Sequence, residues 1–253
     1  MKTVEFGKQN NDVIMLLHGG GLSWWNYKAE AELLKNRYHV VLPILDGHAG
    51  SGNDFISIEK NASRLISFID NEFGGSVLLI GGLSLGAQIL VEMLTQRNSI
   101  CLNAVIESAS VIPSRLTNAL IKPMFSLSYG LVKKKCFAQM QFDYLHIRKD
   151  LFEDYYRDTS QISKENMIAF LEANTSYEIK PNLQDVHANI HILVGEKEQK
   201  KMICSAEQLH KALPGSILEI KKGLYHGEYS INHPEEYTKE LLDMMCYILN
   251  KSA

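Results

Sequence analysis

Short, wholly apolar runs that end in glycine-bearing turns recur along the chain, and nothing else restricts its fold as much. VIMLL (residues 13–17) leads into His18-Gly19-Gly20-Gly21, HVVLPIL (39–45) into Asp46-Gly47-His48, and SVLLI (76–80) into Gly81-Gly82. LNAVI (102–106) stops at Glu107-Ser108, and IHILVG begins at Ile190 and ends on its own glycine. Runs this short, apolar on both faces and closed by turn residues, suit buried strands of a parallel sheet. Between them Ile58, Ala62, Leu65, Ile66 and Ile69 mark one face of a helix. Strand and helix therefore alternate, and right-handed crossovers turn that alternation into an α/β fold: a mostly parallel central sheet with helices on both faces.

The alternation breaks after Pro113 and resumes at Ile190. Helix-like segments at 116–131, 151–157 and 164–173 fill the gap, so the chain divides into a core of residues 1–111 and 186–253 and a helical insertion of residues 112–185. Beyond the insertion come a helix with Met202, Ala206, Leu209 and Leu213 on one face, a strand over 216–220, and the loop Gly223-Leu224-Tyr225-His226-Gly227. A last helix starts near Asn232-His233-Pro234-Glu235, with Tyr237, Leu241, Met244, Met245 and Ile248 on its packing face.

Composition narrows the classes of function. Apolar residues make up 45% and charged residues 22% of 253, ordinary values for a folded globular chain. A net charge of −3 gives no general attraction to nucleic acid or anionic lipid, and Lys133-Lys134-Lys135 reads as a solvated face. The start lacks the apolar core of a secretory signal and no run spans a bilayer, which points to a soluble, cytoplasmic protein without integral membrane association. Cys101, Cys136, Cys204 and Cys246 are scattered without metal spacing and read as reduced core residues.

Chemistry concentrates in Gly82-Leu83-Ser84-Leu85-Gly86, which stands between the strand run SVLLI and the helical stretch AQILVEMLTQR. A G-x-S-x-G segment in that context makes a strand-to-helix turn so tight that glycine is needed on either side, exposing Ser84 as a nucleophile. It also aims the Leu85 N–H at the place where a substrate carbonyl oxygen becomes negative. The same segment without function is a serine capping a helix between turn glycines.

Taken together, the HGGG, DGH, GLSLG, GEKE and HG turns resemble those of the α/β-hydrolase superfamily, with similarity to small capped carboxylesterases and monoacylglycerol-lipase-like serine hydrolases. That resemblance spans nearly the whole chain outside the insertion and implies the α/β-hydrolase fold with the insertion as a helical cap. It implies Gly20 as the second backbone oxyanion donor. The family's chain order of nucleophile, acid, histidine excludes His18, His39 and His48, and the glycine-flanked position of His226 makes it the base. The family's acid falls on Glu198 in Gly195-Glu196-Lys197-Glu198, with glutamate where aspartate is usual; Glu196 and Glu107 remain open as alternatives. Asp46 and His48 match a turn whose role in the family is structural, and Trp24 and Trp25 are read as packing. Expected, then, is a serine esterase acting on a lipophilic acyl or small alkyl ester through an acyl-enzyme on Ser84, with no cofactor and no metal, on a small-molecule acyl substrate. Acyltransferase, thioesterase, peptidase or C–C hydrolase activity with the same residues, or a binding protein without turnover, are the alternatives. The oligomeric state is not legible.

Overall fold

The computed structural model of the chain describes residues 1–249. Seven strands, β1 (Thr3–Phe6), β2 (Val13–Leu17), β3 (His39–Pro43), β4 (Val77–Leu83), β5 (Cys101–Glu107), β6 (Asn189–Gly195) and β7 (Ile217–Lys221), form one sheet in the order β1-β3-β2-β4-β5-β6-β7. Only β1 is antiparallel to its neighbour. Around the sheet lie α1 (Lys28–Leu34), α2 (Ile58–Phe73), α3 (Leu85–Gln96), α8 (Lys200–Ala212), α9 (Glu228–Asn232) and α10 (Pro234–Leu249). Between β5 and β6 come α4 (Arg115–Val132), α5 (Lys135–Tyr144), α6 (Phe152–Thr159) and α7 (Lys164–Ser176).

Alternate residues of each strand feed opposite cores, as the pleat requires. Met15, Leu17, Ile80, Ile106 and Ile192 pack with α2, α3 and α8 on one face. Ile14, Leu16, Leu79, Val105 and Leu193 pack with α1 and α10 on the other. Both faces are covered, which is why the strand runs lack polar alternation.

Register decides where the turns open. Leu17 pairs with Gly82, Leu83 with Glu107, Glu107 with Leu193, and Gly195 with Lys221. The turns after β2, β4, β5 and β6 therefore leave the sheet at one height along its carboxyl edge, where parallel sheets place ligands.

Several details depart from the sequence reading. Strand β1 carries no apolar run, because an edge strand of four half-buried residues needs little burial. Helix α5 is unforeseen: only Ala138 and Phe142 are buried, so its apolar periodicity is faint. Of the four cysteines, Cys101 is buried and Cys204 half-buried, but Cys136 and Cys246 are exposed, contrary to the expectation of core thiols. The helix that carries each exposed thiol turns that residue outward while its neighbours pack. Tyr237, Leu241, Met244 and Met245 do pack inward, and the side chain of Ile248 lies outside the described residues. No described helix is long and apolar enough to cross a membrane.

The crossing of β4 and α3 over β2 is set by contact distance. A Cβ on Gly86 would stand 2.2 Å from the Leu17 carbonyl oxygen and 2.6 Å from that of His18; one on Gly82 would stand 2.6 Å from the Gly86 carbonyl. Backbone cannot yield as a side-chain tip can, so Gly86→Ala is expected to lower stability by about 3 kcal/mol or more. A thermal melt within a degree or two of wild type contradicts this packing.

Candidate active site

Ser84 holds φ 53° and ψ −110°, a conformation that costs a non-glycine residue roughly 1–3 kcal/mol. Its N–H is anchored on the Glu107 carbonyl at 2.9 Å and its carbonyl takes the Gln88 N–H at 3.0 Å, so the turn is fixed from both sides. The Ser84 hydroxyl is not spent on capping its helix. Ser57 and Ser163 cap α2 and α7 with their side chains, each accepting a backbone N–H at 3.1 Å. Ser84 makes no such bond to α3; its Oγ lies 3.0 Å from His226 Nε2.

His226 stands in the loop between β7 and α9, just before Gly227, which adopts φ 70°. Its Nδ1–H donates to Glu198 Oε2 at 2.6 Å, which leaves Nε2 as the acceptor for the Ser84 hydroxyl. The imidazole is 41% exposed, open to a substrate, while the Glu198 side chain is fully shielded. The other oxygen of Glu198 accepts the Ser108 hydroxyl at 2.7 Å and the Gly195 N–H at 2.8 Å. Burial pushes the Glu198 carboxyl up, but the bonds to His226, Ser108 and Gly195 outweigh it and hold the group below the usual carboxylate range. It is thus a charged acceptor at neutral pH.

The two other carboxylates considered from sequence lie elsewhere. Glu196 is exposed and accepts the Gly223 N–H at 2.8 Å, bracing the neighbouring turn. Glu107 is buried, accepts the Ser230 N–H at 3.2 Å, and is pushed up to about 7 chiefly by desolvation. A carboxyl so reluctant to ionise is poorly suited to stabilise an imidazolium. Ser108, by contrast, was not found by sequence reasoning. It sits at φ 55° and bonds directly to Glu198, and its only sequence signal is its place at the end of an apolar run.

The loop after β2 is held by two buried histidines. His18 Nε2 accepts the Leu45 N–H at 3.1 Å while its Nδ1–H donates to the Gly19 carbonyl. His48 Nε2 accepts the Gly21 N–H at 3.0 Å while its Nδ1–H donates to the Asp46 carbonyl. Desolvation drives His18 well below its ordinary value and His48 to about 4, so both are neutral and free to accept. Asp46 is itself paired with Arg64, and its N–H donates to Asn61. With the Gly19 N–H on Asn26 and the Gly21 N–H on His48, the Gly20 N–H between them has no protein acceptor among the described residues, nor does that of Leu85. The two stand close: a Cβ on Gly20 would lie 3.5 Å from the Leu85 side chain.

The helical segment is tied to this loop. Thr159 donates to the Gly21 carbonyl at 2.8 Å, Trp25 donates to Asp158 at 2.9 Å, and the Phe170 ring stacks on His48 at 5.0 Å. A cavity of about 180 Å³ opens on Ser84 and His226 between Leu22, Leu83, Ile147 and Ile231. A second, of about 370 Å³, shares Leu145 and His226 with it and is bounded by Tyr144, His146, Lys197 and Tyr225. A larger hollow of about 650 Å³ lies at the opposite, amino edge of the strands, near Glu5, Asp12 and His39, away from all these groups. Among the described residues the three non-glycine positions with positive φ, Ser84, Ser108 and His146, all border this site. Strain of this kind collects at functional sites. No group of three or more His, Cys, Asp or Glu side chains among the described residues is arranged to hold a metal ion.

The neutral histidines give a sign-definite pH effect. His48 takes a proton at its ordinary value of 6.5 when unfolded but only near 4 when folded. Folding stability is therefore complete above pH 6.5 and falls as pH drops toward 4, by about 3 kcal/mol for this residue. His48→Gln keeps an acceptor for Gly21 without the proton, so its deficit against wild type in thermal melts should narrow from pH 7 to pH 4. A constant difference across that range contradicts a neutral His48.

Comparison with known proteins places these features. No curated protein sequence matches the chain. Solved structures do: a thermophilic esterase from Thermogutta terrifontis with malate bound (TM-score 0.80, 15% identity, 98% of this chain and 93% of that one) is similar over nearly the full length. So are the enol-lactonase from Burkholderia xenovorans LB400 (TM-score 0.80, 14% identity, 97% and 96%) and an esterase from Exiguobacterium antarcticum (TM-score 0.80, 16% identity, 96% and 94%). At such identities the likeness is one of fold. The model of the alpha/beta hydrolase family matches residues 14–239, and the chain belongs to that family.

Proposed function

We propose that this chain is a serine hydrolase that cleaves carboxylic esters through an acyl-enzyme on Ser84. The observation that carries the proposal is the Ser84 hydroxyl, which leaves α3 uncapped and bonds to His226 Nε2 at 3.0 Å, whereas Ser57 and Ser163 accept backbone N–H groups of their own helices. Two of the similar structures are esterases and a third an enol-lactonase, activities that share an acyl–oxygen bond.

In the first half-reaction the Ser84 oxygen attacks the ester carbonyl as its proton passes to His226 Nε2. Glu198 holds the ring by Nδ1–H and stabilises the imidazolium that forms. Negative charge on the carbonyl oxygen is received by the N–H groups of Gly20 and Leu85, the latter at the positive end of α3. Losing one such donor costs about 3 kcal/mol in the transition state. Collapse of the tetrahedral intermediate breaks the acyl–oxygen bond, and the alcohol leaves with the proton from His226. Water then enters, gives its proton to His226 and releases the acid by the same steps in reverse. Helices α4–α7 act as the cap, with the smaller apolar cavity for the acyl chain and the larger one for the alcohol.

Turnover of a p-nitrophenyl ester series, acetate to palmitate, tests this. Ser84→Ala and His226→Ala should each lose about a thousandfold or more in kcat, and Glu198→Gln roughly a hundred- to ten-thousandfold. Ser108→Ala, which loosens Glu198 without touching substrate, should lose about tenfold in kcat with KM little changed. A wild-type protein without turnover on any ester, or a Ser84→Ala variant as active as wild type, contradicts the proposal.

A further inference from the structure

Helix α4 leaves its largest apolar residues in solvent. Leu116, Leu120, Met124, Leu127 and Leu131 recur at i, i+4, i+8, i+11 and i+15, and their exposures run from 40% for Leu131 to 91% for Leu127. At about 100° per residue they fall within an arc of about 80°. Ile121 and Val132 of the same helix are buried and account for its attachment to the fold. On the following helix, α5, Met140 and Tyr144 are also exposed, and Tyr144, 77% exposed, forms part of the wall of the cavity beside His226. Monomeric soluble proteins rarely leave so many large apolar side chains adjacent on one surface without a partner for them.

Charge identifies the partner. From Arg115 to Phe142 the sequence holds five cations, Arg115, Lys122, Lys133, Lys134 and Lys135, and no acid, within a chain of net charge −3. Lys135 is taken up by Glu153 at 2.6 Å. Arg115 and Lys122 of α4 and Lys133 at its C-cap form a second row, separated from the apolar row by the small residues Ala119, Pro123 and Gly130. An exposed helix with one apolar row and one cationic row matches an interface that is hydrocarbon on one side and anionic on the other. A second copy of this chain fits less well: a contact through the leucine row would bury those side chains but leave the cationic row, on the other flank of the helix, without an anionic counterpart.

We propose that α4 and the start of α5 dock on an anionic phospholipid bilayer, with the leucine row in the acyl boundary and the lysines among the headgroup phosphates, so that the cavity beside His226 opens toward the lipid. The whole-chain charge, which argued against anionic lipid, conceals this segregation. Docking does not depend on the ester-cleaving reading, and its test uses a protein that cannot turn over.

Ser84→Ala protein is floated with vesicles of phosphatidylcholine alone or enriched in phosphatidylglycerol, at low and high salt. Binding is expected to the enriched vesicles at low salt, to weaken at high salt, and to fall on the order of a hundredfold in a Lys122→Gln/Lys133→Gln/Lys134→Gln variant. Leu120→Asp/Leu127→Asp should abolish it, while melting temperature and turnover of a soluble ester, read in the same substitutions on a Ser84 background, stay at wild-type levels. No flotation with the enriched vesicles overturns the proposal, as does flotation indifferent to both sets of substitutions. A dimer in light scattering that Leu120→Asp/Leu127→Asp dissociates, without flotation, also overturns it and assigns the face to self-association.

Discussion

Backbone contact at the crossing of β4 and α3 over β2 is the constraint on which the rest depends. Gly82 and Gly86 let the chain reverse from strand to helix against the carbonyls of Leu17 and His18. No residue with a Cβ allows the same approach, so Ser84 is carried to the carboxyl edge at a strained φ of 53°. The sheet register then does the remaining placement. Leu17 lies beside Gly82 and Glu107 beside both Leu83 and Leu193, so the loops with Gly20, Ser84, Ser108 and Glu198 emerge together. The geometry of the site is a consequence of parallel pairing, with the loops free to vary around it.

Electrostatics separate a charged carboxylate from neutral imidazoles at this edge of the sheet. His18 and His48 are neutral because burial forbids their protonation, and only neutral rings can accept the N–H groups of Leu45 and Gly21. Glu198 is less deeply buried and is charged, because three donors converge on it. Glu107, a strand end away, has one backbone donor and rises to about 7. The two glutamates thus differ by the depth of their burial and by the number of hydrogen bonds each receives.

The chain's α/β class was legible because strands covered on both faces are largely apolar, and runs as short as VIMLL and SVLLI, closed by glycine turns, suit strands better than helices. Strand β1 was not, since an edge strand makes no such demand, and α5 was not, since most of its surface is wet. Ser84 and His226 stand out in the sequence through the glycines beside them, and the structure brings their side chains to 3.0 Å. The choice among Glu198, Glu196 and Glu107 stayed open because it rests on side-chain direction: Glu198 turns inward toward Ser108, and Glu196 outward toward Gly223. Ser108 had no signature, because a serine that serves another side chain looks like any serine in a turn. The triple lysine read as a solvated face is exposed as expected, but only the fold shows that it continues a cationic row beside an apolar one.

The central claim is that this fold activates one particular hydroxyl, and covalent labelling tests it most directly. Folded protein would be treated with a fluorophosphonate and the adduct located by mass spectrometry, beside a His226→Ala variant. A single adduct on Ser84 that disappears without His226 is the expected result. An unlabelled Ser84 in folded protein, or labelling that persists without His226, would contradict the account.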